Sequence, residues 1–200
     1  MTTHTEKLGG RAPLMTATVL LVMDVQREIV GRYGDDAGYL ARVGAAIAAA
    51  RGAGVPVVYV RVAFRPGHPE ISPRNKFFAA FVSEGRMVEG PASEIHPAVA
   101  PAPGEIVVTK ERVSAFTGSD LDVVLRARDA GTLVLCGIST SGVVLSTLRQ
   151  ASDLDYELVV LADGCLDGDP EVHRVLVEKV FPPQAEVTTV AKWTAQLTSA

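Results

Sequence analysis

Three short stretches carry side chains suited to acid–base chemistry: "LLVMDVQ" (20–26), "IVVTK" (106–110) and "GISTSGVV" (137–144). Asp24 closes the first apolar run, Lys110 closes the second, and the third stretch is a turn of small side chains after "TLVLC". A carboxylate next to an ammonium in a dry cleft has its proton affinity set by burial against countercharge, which is how a general acid or base is tuned. A turn that opens a helix adds backbone amides where negative charge can settle. Taken singly, each has an ordinary alternative: Asp24 as a cap or turn residue, Lys110 as a solvated edge lysine whose stem covers apolar surface. They converge only if their strands are parallel neighbours, because all carboxyl ends of a parallel sheet point to one pole.

The surrounding pattern predicts such a sheet. "TVLLVMDV" (18–25) is a β-branched run of the kind buried on both faces, residues 38–54 form a glycine-closed helix, and 55–64 form a second strand. Residues 65–104 are punctuated by proline and glycine and read as an excursion carrying a short helix. Alternation then resumes with strands at 105–110, 132–137, 156–163 and 185–190. Helices lie between them at 119–131, 141–155 and 169–180, the last with Pro170 in its first turn. Six strands alternating with helices predict an α/β fold, a Rossmann-like three-layer α/β/α sandwich with a mostly parallel six-stranded sheet. Residues 17–200 form a single domain, preceded by a flexible segment at 1–16.

Composition narrows the partners. The chain has 200 residues, a formal charge of −4 and 19 scattered Lys and Arg, so it offers no basic footprint for nucleic acid. Its two cysteines, Cys136 and Cys165, sit beside apolar runs and fit a reducing, cytoplasmic setting. No stretch is apolar enough for a signal peptide or a membrane span. A small-molecule substrate is the expected partner. His68 reads as a surface-loop residue among prolines, and His4, His96 and His173 are remote from one another, so neither a metal nor another cofactor is expected.

The quoted stretches, with "VVTKERVSAFTGSDLDVVLRARDAGTLVLCGIST" and "SGVVLSTLRQASDLDYELVVLADGC", resemble the isochorismatase-like hydrolase superfamily over about residues 17–190. That superfamily includes nicotinamidases, N-carbamoyl amide hydrolases and isochorismatases. Its cysteine hydrolases use an Asp, Lys, Cys triad, with the cysteine in a pattern like G-x-x-T-x-x-C-V. Asp24 and Lys110 match two members, Gly137 and Thr140 match the pattern, and the cysteine position holds Val143. The resemblance therefore implies a cysteine hydrolase without its cysteine. Isochorismatases also lack that cysteine and cleave a vinyl ether with the aspartate as general acid. The family further implies a cis peptide between Ile138 and Ser139, amides of Ser139 and Val143 aimed at a developing oxyanion, and a homo-oligomer.

The expected function is thus a hydrolase of small metabolites, carboxylated ones and those of secondary metabolism among them, working by Asp24 acid–base chemistry tuned by Lys110. Gln26 and Phe116 are further candidates for substrate contact, and Arg65 or Arg74 for holding a substrate carboxylate through a planar guanidinium. Arg61, Asn75 and Lys76 accompany them in a loop able to fold over the cleft as a lid, with Phe64, Phe77, Phe78 and Phe81 packing the lid and pocket. Two other readings stand: a non-catalytic relative that binds a small molecule or partner protein, and an amidase using an unexpected thiol, Cys136 being nearest in sequence.

Overall fold

The computed structural model describes residues 17–33, 36 and 38–199. The segment 1–16, expected to be flexible, and His4 within it lie outside the described residues. Six strands form one sheet: β1 (Ala17–Met23), β2 (Val57–Val62), β3 (Ile106–Lys110), β4 (Ala130–Ile138), β5 (Glu157–Leu166) and β6 (Glu186–Thr188). Every pairing is parallel and the order is β3-β2-β1-β4-β5-β6. The sheet is therefore wholly parallel where the sequence predicted a mostly parallel one. The chain order reverses between β1 and β4, which opens the crevice where α/β sheets bind ligands.

β1 is central because its side chains have no polar face to turn outward. Residues 19–23 are all 0% exposed, each such aliphatic side chain contributing roughly 1.5–3 kcal/mol on full burial. Strand alternation splits them between two layers. Val19, Leu21 and Met23 pack with α4 (Leu121–Arg126) and α5 (Leu145–Asp153). Leu20 and Val22 pack with α2 (Tyr39–Gly52) and α7 (Val190–Ser199). The remaining helices are α1 (Arg27–Val30), α3 (Lys76–Glu84) and α6 (Pro170–Val175).

The excursion after β2 contains α3 as the sequence predicts. Asn75 caps it by accepting from the Phe78 amide at 3.2 Å, and Gly85 closes it in the left-handed conformation at φ +62°. It is held down by a separate apolar cluster of Val62, Phe64, Phe78 and Met87. Helix α7 is an addition to the sequence reading, which ended on a strand through residue 190. The strand stops at Thr188; Thr189 Oγ1 then accepts from the Lys192 amide, and Val190 and Trp193 are buried against the α2 side of the sheet.

Candidate active site

β1 ends by swinging Asp24 into the left-handed region, φ +56°, while its amide still donates to Val60 O at 2.8 Å. Aspartate is among the few side chains that tolerate this conformation. Two strands away, Lys110 ends β3, and its Nζ lies 2.9 Å from Asp24 Oδ2, with both side chains buried. Lys110 Nζ also donates to the carbonyls of Arg112 (2.9 Å) and Val113 (3.1 Å), so its three protons are all directed. Asp24 Oδ1 is buried without a hydrogen-bond partner among the described residues. Burial pushes the Asp24 carboxyl above the usual carboxylate range, and the charge and hydrogen bond of Lys110 pull it partly back.

The turn after β4 lies across the crevice from Asp24. Gly137 pairs with Met23, and the Ile138–Ser139 peptide that follows is cis. Residues Thr140–Val144 form a single π-helical turn, in which the Val144 amide reaches back to Ser139 O at 3.2 Å. Asp167, just past β5, fixes this turn by accepting from the Ser141 amide at 2.7 Å. His173 Nδ1 sits 2.8 Å from Thr140 Oγ1, and burial lowers the pKa of His173 against the opposing charge of Asp167. Ser139, Gly142 and Val143 face the same cleft as Asp24 and Lys110, a space of about 900 Å³. Ile29, Tyr33 and the rings of Phe77, Phe78 and Phe81 wall it, with Arg32, Arg86, Asp36 and Asp167 also on its lining.

Four of the eight residues expected at the site are thus brought together: Asp24, Lys110, Ser139 and Val143. The other four are not. Gln26 is 0% exposed, and its amide is consumed by the backbone: Nε2 donates to Val62 O and Ser93 O, and Oε1 accepts from Val62 N. It ties β2 to the following loop and has no donor left for substrate. Arg65 pairs with Glu70 with its side chain 73% exposed, and Arg74 is exposed on the loop before α3; neither lines the cleft. Phe116 belongs to the core beneath, its ring 6.1 Å from that of Tyr156. Arg61, at the end of β2, is held by Thr109 Oγ1 and Glu89. His68 is also corrected, since it is buried, with Nε2 2.7 Å from Arg86 O and its ring against Phe64.

Asp167, Arg32 and Arg86 were missed. Asp167 was within reach of the strand-end argument, but the sequence reading stopped β5 at residue 163 and the strand runs on to Leu166. Arg86 lies in the excursion, where no periodic pattern fixes which way a side chain faces. Among the described residues, no group of three or more His, Cys, Asp or Glu side chains stands close enough to hold a metal ion, and no helix is long and apolar enough to cross a membrane.

Neither cysteine lines the cleft. Cys136 Sγ contacts Leu21 O, and Cys165 lies in the apolar layer on the opposite face of the sheet. Burial pushes the Cys136 thiol far up and the Cys165 thiol to about 12. Iodoacetamide is therefore expected to modify neither in the native protein and both after denaturation, as read by mass spectrometry. Rapid native labelling of Cys136 alone would instead mark an activated thiol.

The isochorismatase domain model matches residues 18–192. A ureidoacrylate amidohydrolase, RutB, of Methylobacterium radiotolerans is 34% identical, covering 90% of this chain and 79% of that protein. The isochorismatase family protein YecD of Escherichia coli O157:H7, itself uncharacterized, is 33% identical over 86% of this chain and 92% of its own length. Among solved structures, a cysteine hydrolase from Pseudomonas syringae superposes with a TM-score of 0.83 at 26% identity, covering 94% of this chain and 96% of that one. The N-carbamoylsarcosine amidase of Thermoplasma acidophilum gives 0.70 at 27% identity, covering 87% and 96%. The shared fold, the extent of the match and the identity of these relatives place the chain in the isochorismatase family of hydrolases.

Proposed function

We propose that this hydrolase cleaves a small metabolite by general acid–base chemistry at Asp24, without a cysteine nucleophile. The observation that carries the reading is the division of labour within one buried carboxyl group. Oδ2 is occupied by Lys110 at 2.9 Å, while Oδ1 has no partner among the described residues and belongs to a side chain on the cleft lining. Burial raises the Asp24 pKa while Lys110 pulls it partly back, and Oδ1 is the oxygen free to carry the proton of the acid form.

In the proposed cycle, written for a vinyl ether, Asp24 gives that proton to the terminal alkene carbon, a water oxygen bonds to the oxocarbenium carbon this creates, and a proton from that water restores Asp24. The hemiketal then collapses: its new hydroxyl gives up its proton as it becomes the carbonyl, and the C–O bond to the leaving alcohol breaks as that oxygen takes up a proton. One water is consumed and one bond is cleaved. Lys110 stabilises the transient carboxylate. Ser139 and Val143, on the turn facing Asp24, would orient the substrate and present amides to a developing oxyanion. The bond classes to assay are the vinyl ether of the isochorismatases and the amide or N-carbamoyl bond named for the amidohydrolase relatives. The amidase reading that uses a thiol is disfavoured, because both thiols are buried away from the cleft with pKa values pushed up.

The pH profile tests this. A general acid works in its protonated form, so kcat/KM should hold at low pH and fall as pH rises through the Asp24 pKa. Lys110 lowers that pKa by charge and hydrogen bond. In Lys110→Met both influences are gone, so the falling limb should move to higher pH, along with a lower maximal rate. A limb that moves to lower pH, or an activity that rises through this range, would assign the falling limb to another group or Asp24 to a different role.

A further inference from the structure

Among the described residues the cleft lining holds two guanidinium groups, and two carboxylates already match their charge. Arg86 Nε donates to Glu28 Oε1 at 3.1 Å and its Nη1 to Glu84 Oε2 at 3.2 Å, with the guanidinium 4.5 Å from the centre of the Phe81 ring. Arg32 Nη2 meets the same Glu28 oxygen at 3.1 Å. Lys110 Nζ has its three donors taken up by Asp24 Oδ2 and the carbonyls of Arg112 and Val113, leaving none for a substrate, and Asp36 is matched by Arg42. Asp167 differs: it accepts from the backbone amides of Ser141 (2.7 Å) and Asp169 (3.3 Å), and among the described residues no ammonium or guanidinium group pairs with it. Phe77 brings a flat apolar surface to the same cleft, 59% exposed, with its ring 5.0 Å from Phe78 and 5.6 Å from Phe81.

We infer that this cleft selects a neutral or cationic substrate bearing a flat apolar group and discriminates against carboxylate-bearing ones, with Phe77 as the seat and Asp167 as the uncompensated charge. The inference rests on the reading of Asp24 as the reacting acid for where the substrate lies, and it names the class of molecule that reaches it. An entering carboxylate would find the charge of both guanidinium groups already matched by Glu28 and Glu84, so it could reach only their remaining N–H groups without a net countercharge, and it would lie near Asp167; losing water for so partial a pairing is costly for a charged group. A cation meets the opposite field, strengthened by the low-dielectric walls, and the face of an aromatic ring attracts it as well. A neutral amide pays neither cost.

Benzamidine, benzamide and benzoate test this, because they share one planar ring and differ only in the charge of one substituent. Calorimetric titration of the whole protein at neutral pH is expected to give benzoate a Kd about tenfold or more weaker than the other two. Glu84→Gln, a change at an exposed position that frees one arm of Arg86, should narrow the gap by improving benzoate binding. Phe77→Ala should weaken all three by a similar factor. Benzoate binding as tightly as benzamide, or no binding of any probe, would overturn the inference. Binding needs no turnover, so this result stands apart from the rates that test Asp24.

Discussion

Asp24→Asn is expected to lower kcat/KM by roughly 10²–10⁴-fold, the usual contribution of a positioned general acid. The change preserves side-chain volume and leaves an oxygen able to accept from Lys110 Nζ, so the cleft keeps its shape. It removes the only group of the pair that can give up a proton at Oδ1. It also strands a 2% exposed ammonium with two carbonyls and no countercharge, and breaking a buried pair in this way costs about 3–5 kcal/mol. Loss of activity in the single variant could therefore be confused with loss of fold. The double variant Asp24→Asn with Lys110→Met separates the two. With both charges gone, much of the lost Tm should return while activity stays absent. Recovery of activity with Tm, or a well-folded Asp24→Asn protein that turns over normally, would remove Asp24 from the chemistry.

Gly137→Ala is expected to destabilise the protein by on the order of 3 kcal/mol or more, a fall in Tm of roughly 6–12 °C for a domain of this size, and to abolish most activity. Gly137 has φ +149°, a region that side chains with a Cβ rarely enter. A Cβ placed there would lie 2.1 Å from Met23 O and 2.9 Å from Met23 C. Those are backbone atoms of the central strand, so the seam between β1 and β4 must open, and Asp24 is the next residue along. Gly142→Ala provides the contrast. Its Cβ would lie 2.6 Å from Ser139 Oγ, a hydroxyl that can rotate away, so the melting temperature should change little while the cleft surface beside Val143 changes. Thermal melts and kcat/KM of the two variants side by side check both statements. A Gly137→Ala protein that melts with the native one would show that the seam yields more easily than its geometry implies.

How far the sequence reached differs from element to element, for reasons visible in the residues. The strands were legible because runs such as "TVLLVM" have no polar face, and only a sheet covered on both sides can bury them. The helix boundaries were less so. Helix α4 ends at Arg126 although its pattern suggested continuation to residue 131, and α7 went unseen because the short strand before it shares its apolar residues. Gln26 was legible as a polar residue beside Asp24, but not as a buried clamp, since its partners Val62 and Ser93 are 36 and 67 residues away.

What the sequence determined by itself was the identity of the pole: an acid, a lysine and a small-residue turn at the carboxyl ends of three buried strands. Parallel topology makes that inference local, because each residue needs only its place at its own strand's end. What the tertiary structure alone decided was which groups compete for one another across the cleft. That Lys110 takes one oxygen of Asp24 and leaves the other, that Arg86 and Arg32 share Glu28, and that Asp167 pairs with no ammonium or guanidinium group among the described residues are outcomes of distance between segments far apart in the chain. Electrostatic pairing depends on those distances and on burial, and neither is written in the spacing of residues along a single strand or loop.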